Sequence, residues 1–469
     1  MDAMPEQPSA EQPSGEQPSG EQPSAEQPNG DANARARQLS RRKFLSLAAG
    51  GGALGAGLAA LGPSAWLSVL DAAAASAATA TATKPSPKAA LGSQTGRTLV
   101  LLTLYGGNDG LNTVIPYLDP AYAAARGPLA IEPTTVLPLR DGYGLHPSLP
   151  KLAGLFKDSK LAIVQGVGFA DPNYSHFESM DIWQTAIPSN PSGTGWLGRW
   201  LDATNSNPLR ALTIGPIVPT ALVGERIQAA AIAPGPIVLP GSQGEQVLYR
   251  GLAATSSHMP TLQMEAAESC GDLLQVDRVL GPILARHASA SGAEASAGAL
   301  AIANGGGQSS SGNVLATQLS VVANLILAEA PSEVYSVQLG GFDTHADQLA
   351  TQQDLLGDLD SSVSAFLDSI SSTRRGRDTV VLVYTEFGRR LAANASAGTD
   401  HGWANVAFVA GHSVKGGFFG DAPSLTNLSE GNMIYTTDFR SLYATVLDQV
   451  IGVAPARFLD GKFPQLAFV

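Results

Sequence analysis

Four short stretches of this chain combine acids, amides and histidines in a way that suits metal chemistry. They are Gly106-Gly107-Asn108-Asp109-Gly110, Gly341-Phe342-Asp343-Thr344-His345, Thr385-Glu386-Phe387-Gly388 and Gly398-Thr399-Asp400-His401-Gly402. Carboxylate oxygens and imidazole nitrogens are what hard and borderline divalent cations take as ligands. Asp343 and His345, two residues apart in a loop, can converge on one ion, though Asp343 or Thr344 can equally cap the helix that follows. Glu386 ends an apolar run, where a buried carboxylate is costly unless a metal, Arg389 or Arg390 pairs with it. Asp109 has a plain alternative, an Asx-type turn that satisfies local amides. A surface turn is the alternative for Asp400 and His401.

The elements that must position these residues read as α/β. Residues 98–105 form a continuous apolar run, as expected of a strand buried on both faces, and 161–166 is a second. Residues 334–339, the long amphipathic stretch 348–371 and residues 379–384 compose a βαβ unit, so the two strands are expected to be parallel with a right-handed crossover. Asp343, His345 and Glu386 then leave the same sheet edge, where open α/β sheets place their ligands. A last strand is expected at 405–410 and a C-terminal helix at 439–450. Ser148 is expected to cap a short helix, and a further helix near Ser175 carries Phe177, Met180 and Trp183 on an apolar side. The fold class is α/β, with a mostly parallel central sheet and helices on both faces.

Ser175-His176-Phe177-Glu178 matches a capping box, which explains the serine structurally. The same position, at a helix N-terminus, would also favour a developing alkoxide and bind an oxyanion. His176 stands next to it and can touch the site. His146 precedes a proline in a turn, and His258, His287 and His412 lie in loops or helix ends without an acidic companion. No P-loop, zincin helix or dinucleotide fingerprint is present.

The chain has 469 residues, 44% of them hydrophobic, a formal charge of −12 and the single cysteine Cys270. That composition supports a sizeable core, excludes an intramolecular disulfide framework and argues against nucleic-acid binding. Residues 1–39 form an acidic Glu-Gln-Pro-Ser repeat tail without an apolar face. Ser40-Arg41-Arg42-Lys43-Phe44-Leu45 and the Gly/Ala/Leu run after it read as a twin-arginine export signal over 40–77. That run is about 15 residues, short of the roughly 20 that span a bilayer. A linker follows at 78–96, then one domain over 97–469 with an insertion or cap at about 190–312. The expected partner is the twin-arginine translocase during export to the periplasm or beyond, with no stable membrane span after cleavage.

The leader, Tyr105-Gly106-Gly107-Asn108-Asp109-Gly110-Leu111-Asn112, the Ser175 box, the three later acid-and-histidine stretches and Thr437-Asp438-Phe439-Arg440 together resemble the exported domain-of-unknown-function 1501 family. That family is grouped with the alkaline phosphatase and sulfatase superfamily. The resemblance implies an alkaline-phosphatase-like fold and metal-dependent hydrolysis of a phosphate or sulfate ester of a small molecule. It implies Ser175 as nucleophile, and Asp109, Asp343, His345, Glu386, Asp400 and His401 as ligands of a divalent metal. Zinc is the first expectation, with calcium, magnesium or manganese as alternatives. Asn108, Asn112 and His176 would contact the substrate. Three departures stand out: a two-residue spacing in the central metal pair where phosphatases commonly use four, Glu386-Phe387 in place of an Asp-His pair, and no Cys-x-Pro-x-Arg element. The rival expectation is a non-catalytic exported protein that keeps the fold for binding or assembly.

Overall fold

The computed structural model describes residues 97–469 apart from 192, 205–206, 238, 240–245, 257 and 292–313. The tail, signal and linker readings therefore lie outside the described residues. So does most of the low-complexity stretch within the expected insertion.

Nine strands form the central sheet: β1 (Thr98–Leu104), β2 (Leu161–Gly168), β3 (Ala211–Ile214), β4 (Ala230–Ile232), β5 (Val334–Leu339), β6 (Thr379–Tyr384), β7 (Asn405–Ala410), β8 (Gly417–Phe419) and β9 (Thr437–Asp438). Their order is β8-β2-β7-β6-β1-β5-β3-β4, with β9 added alongside β2. Every pairing is parallel except those of β7 with β2 and β6. The mixed α/β class with a mostly parallel sheet is thus the observed one. The two strands of the expected βαβ unit are parallel but not adjacent, because β1 lies between them.

β1 shows why the apolar run is unbroken. Leu99 and Leu101 join the core on one face, while Val100, Leu102 and Leu104 join the core on the other. One core receives helices α1 (Pro150–Lys157), α4 (Thr261–Ser291), α5 (Val314–Leu327) and α6 (Gln348–Ile370). The other receives α2 (His176–Thr185), α3 (Trp196–Thr204) and α7 (Phe439–Thr445), the last continuing as a π-helix over Val446–Ile451. Within the stretch read as an insertion, β3 and β4 extend the sheet edge. No helix among the described residues is long and apolar enough to cross a membrane.

Two local expectations are corrected. Ser148 does not cap α1: the cap position is Leu149, without a side-chain cap, and Pro150 opens the helix. Its free amides are met from afar, where Asp360 accepts from Lys151 N and Leu152 N at 3.2 and 2.8 Å. Phe177 is 87% exposed, while Met180 and Trp183 are buried. It lies in the first turn of α2 and projects into solvent.

Candidate metal centre

The strand directions decide what meets at the sheet's functional edge. β1, β5 and β6 end there, so Gly106, Asp343, His345, Glu386 and Arg389 follow them onto one rim. β7 runs the opposite way and therefore begins at that rim, which brings in Asp400 and His401 just ahead of it. β2 also ends there, and its outgoing loop leads into α2 with Ser175 at the N-cap and His176 as the first helical residue. The loops crowd closely. A Cβ on Gly106 (φ +112°) would lie 2.4 Å from Asp343 N, so only glycine fits.

Three histidines turn one ring nitrogen toward a single carboxylate oxygen. The Nε2 atoms of His345, His401 and His176 lie 3.0, 3.2 and 3.4 Å from Asp343 Oδ1. His345 Nε2 and His401 Nε2 are 2.9 Å apart. Ligand atoms of His176, Asp343 and His401 fall within 4.8 Å of one another, and His345 joins them from the His401 side.

The opposite nitrogen of each ring meets an acceptor, and this sets the tautomers. His176 Nδ1 donates to Glu386 Oε1 at 2.7 Å, and His401 Nδ1 donates to the Tyr174 carbonyl at 2.7 Å. His345 Nδ1 lies 3.5 Å from Asp400 Oδ1. A neutral imidazole that donates from Nδ1 presents a lone pair at Nε2. Lone pairs so close together repel unless a cation or an added proton lies among them. His176 Nε2 is buried without a hydrogen-bond partner. A zinc ion with bonds of about 2.0–2.1 Å would set its tetrahedral ligand atoms about 3.3 Å apart. The separations from Asp343 Oδ1 and between His345 and His401 are near that edge length, and imidazoles with a carboxylate are a donor set for zinc or a similar borderline ion; His176, Asp343 and His401 form the compact group, with His345 at its edge.

The expected ligands thus divide. Asp343, His345 and His401 converge, and His176, expected at the substrate, stands with them as a candidate ligand. Glu386 and Asp400 stand behind histidines instead. Glu386 is buried, and beyond His176 it accepts Gly106 N at 2.9 Å and Thr385 Oγ1 at 2.8 Å. This carboxylate–histidine pairing orients a ligand and raises its basicity. Asp109 does not join the centre. It is fully buried, its two oxygens pair with Arg126 at 2.5 and 2.7 Å, and Gln348 Nε2 donates to it. It also caps Asn112 N, which is the Asx role. Asn108 and Asn112 are likewise buried in structural bonds. Asn108 Oδ1 accepts from Gln352 and Thr113, and Asn112 spans Leu129 O and the Tyr122 hydroxyl. None of the three is placed to meet a substrate.

Two residues not expected at the site support it. Arg389, completely buried, donates to Gly107 O, Thr399 O, Gly106 O, Phe342 O and Asp343 Oδ1, the last at 2.7 Å. It was a candidate partner for Glu386 but pairs with Asp343. The Phe387 ring packs against His176 and His401 at centroid distances of 4.9 and 4.6 Å. The helical and strand periodicities carried no signal for either role.

The electrostatics follow these contacts. Partial burial opposes ionisation of Asp343, but the Arg389 guanidinium and the histidines hold its carboxyl down at about 2. The Glu386 hydrogen bond raises the His176 pKa, whereas burial lowers that of His401. The Asn394 amide holds Asp400 below its usual range. Ser175 is exposed, and its Oγ accepts Glu178 N at a long 3.5 Å.

Residues 254–460 match the model of a family described as a protein of unknown function, DUF1501. That span includes Asp343, His345, Glu386, Asp400 and His401, but neither Asp109 nor Ser175. No curated protein matches the chain. Among solved structures, it is similar to a protein in the alkaline phosphatase superfamily from Vibrio parahaemolyticus, with 11% identity and a TM-score of 0.37, over 84% of this chain and 78% of that one. It is also similar to the phosphonate monoester hydrolase of Agrobacterium radiobacter (11% identity, TM-score 0.29, 78% of each chain). A 2-O GAG sulfatase has 10% identity and a TM-score of 0.29, over 69% of this chain and 65% of that one.

Proposed function

We propose that this chain is an exported metal-dependent hydrolase of phosphate or sulfate esters. One observation carries the reading: three Nε2 atoms gather around the Asp343 carboxylate, with the opposite side of each ring facing an acceptor. His176, Asp343 and His401, with His345 beside them, would hold one divalent ion, zinc before calcium, magnesium or manganese because nitrogen donors dominate. Such an ion, when bound, supplies Lewis acidity to an ester oxygen.

The protein's own groups do the rest. Glu386 and the Tyr174 carbonyl keep His176 and His401 in the ligating tautomer. Ser175 lies in sequence between the two residues that make those contacts, Tyr174 and His176, and its hydroxyl would act from there. The N-terminal amides of α2 favour the serine alkoxide, and the weak Glu178 bond leaves the oxygen available. Attack by Ser175 Oγ on phosphorus or sulfur would form a phospho- or sulfoseryl ester as the bond to the leaving oxygen breaks and the hydroxyl proton passes to that oxygen. Water would then cleave the seryl ester, releasing phosphate or sulfate and restoring the serine. The export reading rests on the Arg41-Arg42 leader.

Elemental analysis of purified protein after zinc add-back tests the metal. About one equivalent is expected, and less than about 0.2 equivalents would overturn the proposal, because such sites bind tightly. A panel of aryl phosphate monoesters, diesters and sulfates then tests the chemistry. Ser175→Ala should keep the metal and lose turnover by about a hundredfold or more, and unchanged turnover removes Ser175 as nucleophile.

A further inference from the structure

We infer that a second site, apart from the metal centre, receives the neutral carboxamide end of a small aliphatic ligand on Gln165. β2 is apolar along its whole length except at Gln165, its one polar side chain. That residue is only 7% exposed, and no hydrogen bond engages its side-chain amide among the described residues. A buried amide in that state is costly unless a partner arrives.

The backbone fixes where this amide points. The pairing of β7 with β2 steps from Ala407–Val164 to Asn405–Val167, so Val406 stands opposite both Gln165 and Gly166. Such a bulge re-aims a side chain. Gly166 takes φ +63°, and its carbonyl accepts Thr436 N at 2.8 Å, which holds the bulge in place. Leu161 and Ile163 join the core on the sheet face that also packs Val114, Tyr143 and Val406. Gln165 follows them by strand alternation. There it lines a half-open cavity of about 30 Å³ with Leu111, Val114, Val406, Leu425 and Met433. None of the candidate metal ligands lines it.

The lining selects the ligand. It carries no charged side chain, so an ion would lose its hydration without gaining a counter-charge. A buried water needs about two to four polar partners. Asn405, the other amide in the lining, is engaged at both ends: its Nδ2 donates to Asn108 O and Phe387 O at 2.8 Å each, and its Oδ1 accepts Val406 N at 2.7 Å. Gln165 is left with a donor and an acceptor side by side. A neutral carboxamide presents the complementary pair, so two reciprocal hydrogen bonds can form. The cavity holds roughly two or three water-sized groups, which suits the carboxamide end itself. Its open side lets an aliphatic stem leave across Leu111, Leu425 and Met433. Neither metal nor hydrolysis enters this recognition.

Protein labelled at its methionine methyl groups reports on the cavity directly, because Met433 lines it. Titration with propionamide should shift the Met433 methyl resonance, assigned with Met433→Leu, in a saturable way. Propionate, which is charged, and methyl ethyl ketone, which lacks a donor, should each bind about tenfold or more weakly. Gln165→Leu should weaken propionamide binding about tenfold or more. Its urea midpoint should equal or exceed that of wild type, since the replaced amide has no hydrogen bond to lose. Leu425→Trp should also weaken binding, by filling the cavity with Gln165 intact. A Met433 resonance that ignores propionamide overturns the inference and leaves the cavity to water only. Equal propionamide affinity in Gln165→Leu, or equal affinity for the ketone in wild type, overturns it too. A markedly lower urea midpoint for Gln165→Leu does the same, by giving the amide a structural role.

Discussion

Glu386→Gln separates orientation of a ligand from ligation itself. Glutamine is nearly isosteric, and its amide oxygen can still accept from His176 Nδ1 and Gly106 N, the two bonds that Oε1 makes at 2.7 and 2.9 Å. Its NH2 group can face Thr385 Oγ1, which rotates from donor to acceptor. What disappears is the negative charge behind the imidazole. A charge-assisted hydrogen bond is about twice as strong as a neutral one. Loss of such an outer partner weakens metal binding about 10- to 100-fold, or about 1.4–2.7 kcal/mol. The apo fold should lose only about 1 kcal/mol, because all three contacts survive in neutral form. Competition against a chromophoric chelator near neutral pH measures the first quantity, and urea denaturation of the metal-free protein measures the second. Glu386 also raises the His176 pKa, so protons compete harder in the wild type. The difference in affinity between the two proteins should therefore narrow as pH falls. Zinc affinity within about twofold of wild type would refute the orienting role. If His176→Ala also binds normally, His176 is no ligand.

Two further substitutions test the structural assignments. His146 is buried, its Nδ1 accepts Ser148 N at 3.1 Å, and burial pushes its pKa down to about 4. Unfolded histidine titrates near 6.5, so between these values the unfolded chain binds a proton that the folded one excludes. Its contribution is neutral above that window and becomes destabilising as pH falls, reaching about 3 kcal/mol by about pH 4. Denaturation of His146→Asn across the window should show a flatter pH dependence than wild type, and an equal slope refutes the assignment. Asp109→Asn should destabilise the fold by about 3–5 kcal/mol by leaving Arg126 buried without its counter-charge, yet keep the metal content. Loss of metal from a folded Asp109→Asn protein would return Asp109 to the ligand set.

The legible parts of this chain were those with a strong period or a short, chemically unusual loop. β1, β2, β5, β6 and β7 read as apolar runs because the sheet is covered on both faces. Asp343, His345 and His401 read as ligands because glycines set them off in loops near strand ends. The same cue misled at Asp109, where the loop contents matched but Arg126, seventeen residues on, took the carboxylate. Local sequence says nothing about a partner reached only by tertiary folding. It was silent for the same reason about Asp360 capping α1, about Arg389 and about the Phe387 ring. The reversed direction of β7 was also invisible, although it alone explains why His401 precedes its strand while the other site residues follow theirs.

That reversal, together with Arg389, bears on how the centre works. Segments at the ends of three strands, β2, β5 and β7, supply the candidate ligands, and ordering separate loops around an ion would ordinarily cost much of the binding energy. Here the loops after β1, β5 and β6 and the segment before β7 are already joined by one buried guanidinium, which touches Gly106, Gly107, Phe342, Asp343 and Thr399. Gln348 extends the network, accepting from Thr399 Oγ1 and donating to Asp109, itself fixed by Arg126. The carboxylate of Asp109 therefore serves the site from a distance, as part of the brace and not as a ligand. With Asp109 committed there and Glu386 and Asp400 behind histidines, the remaining donors suffice for one ion and not for two. In the proposed hydrolysis, with one ion at most, Ser175 at the N-cap of α2 is the side chain assigned to supply the nucleophile.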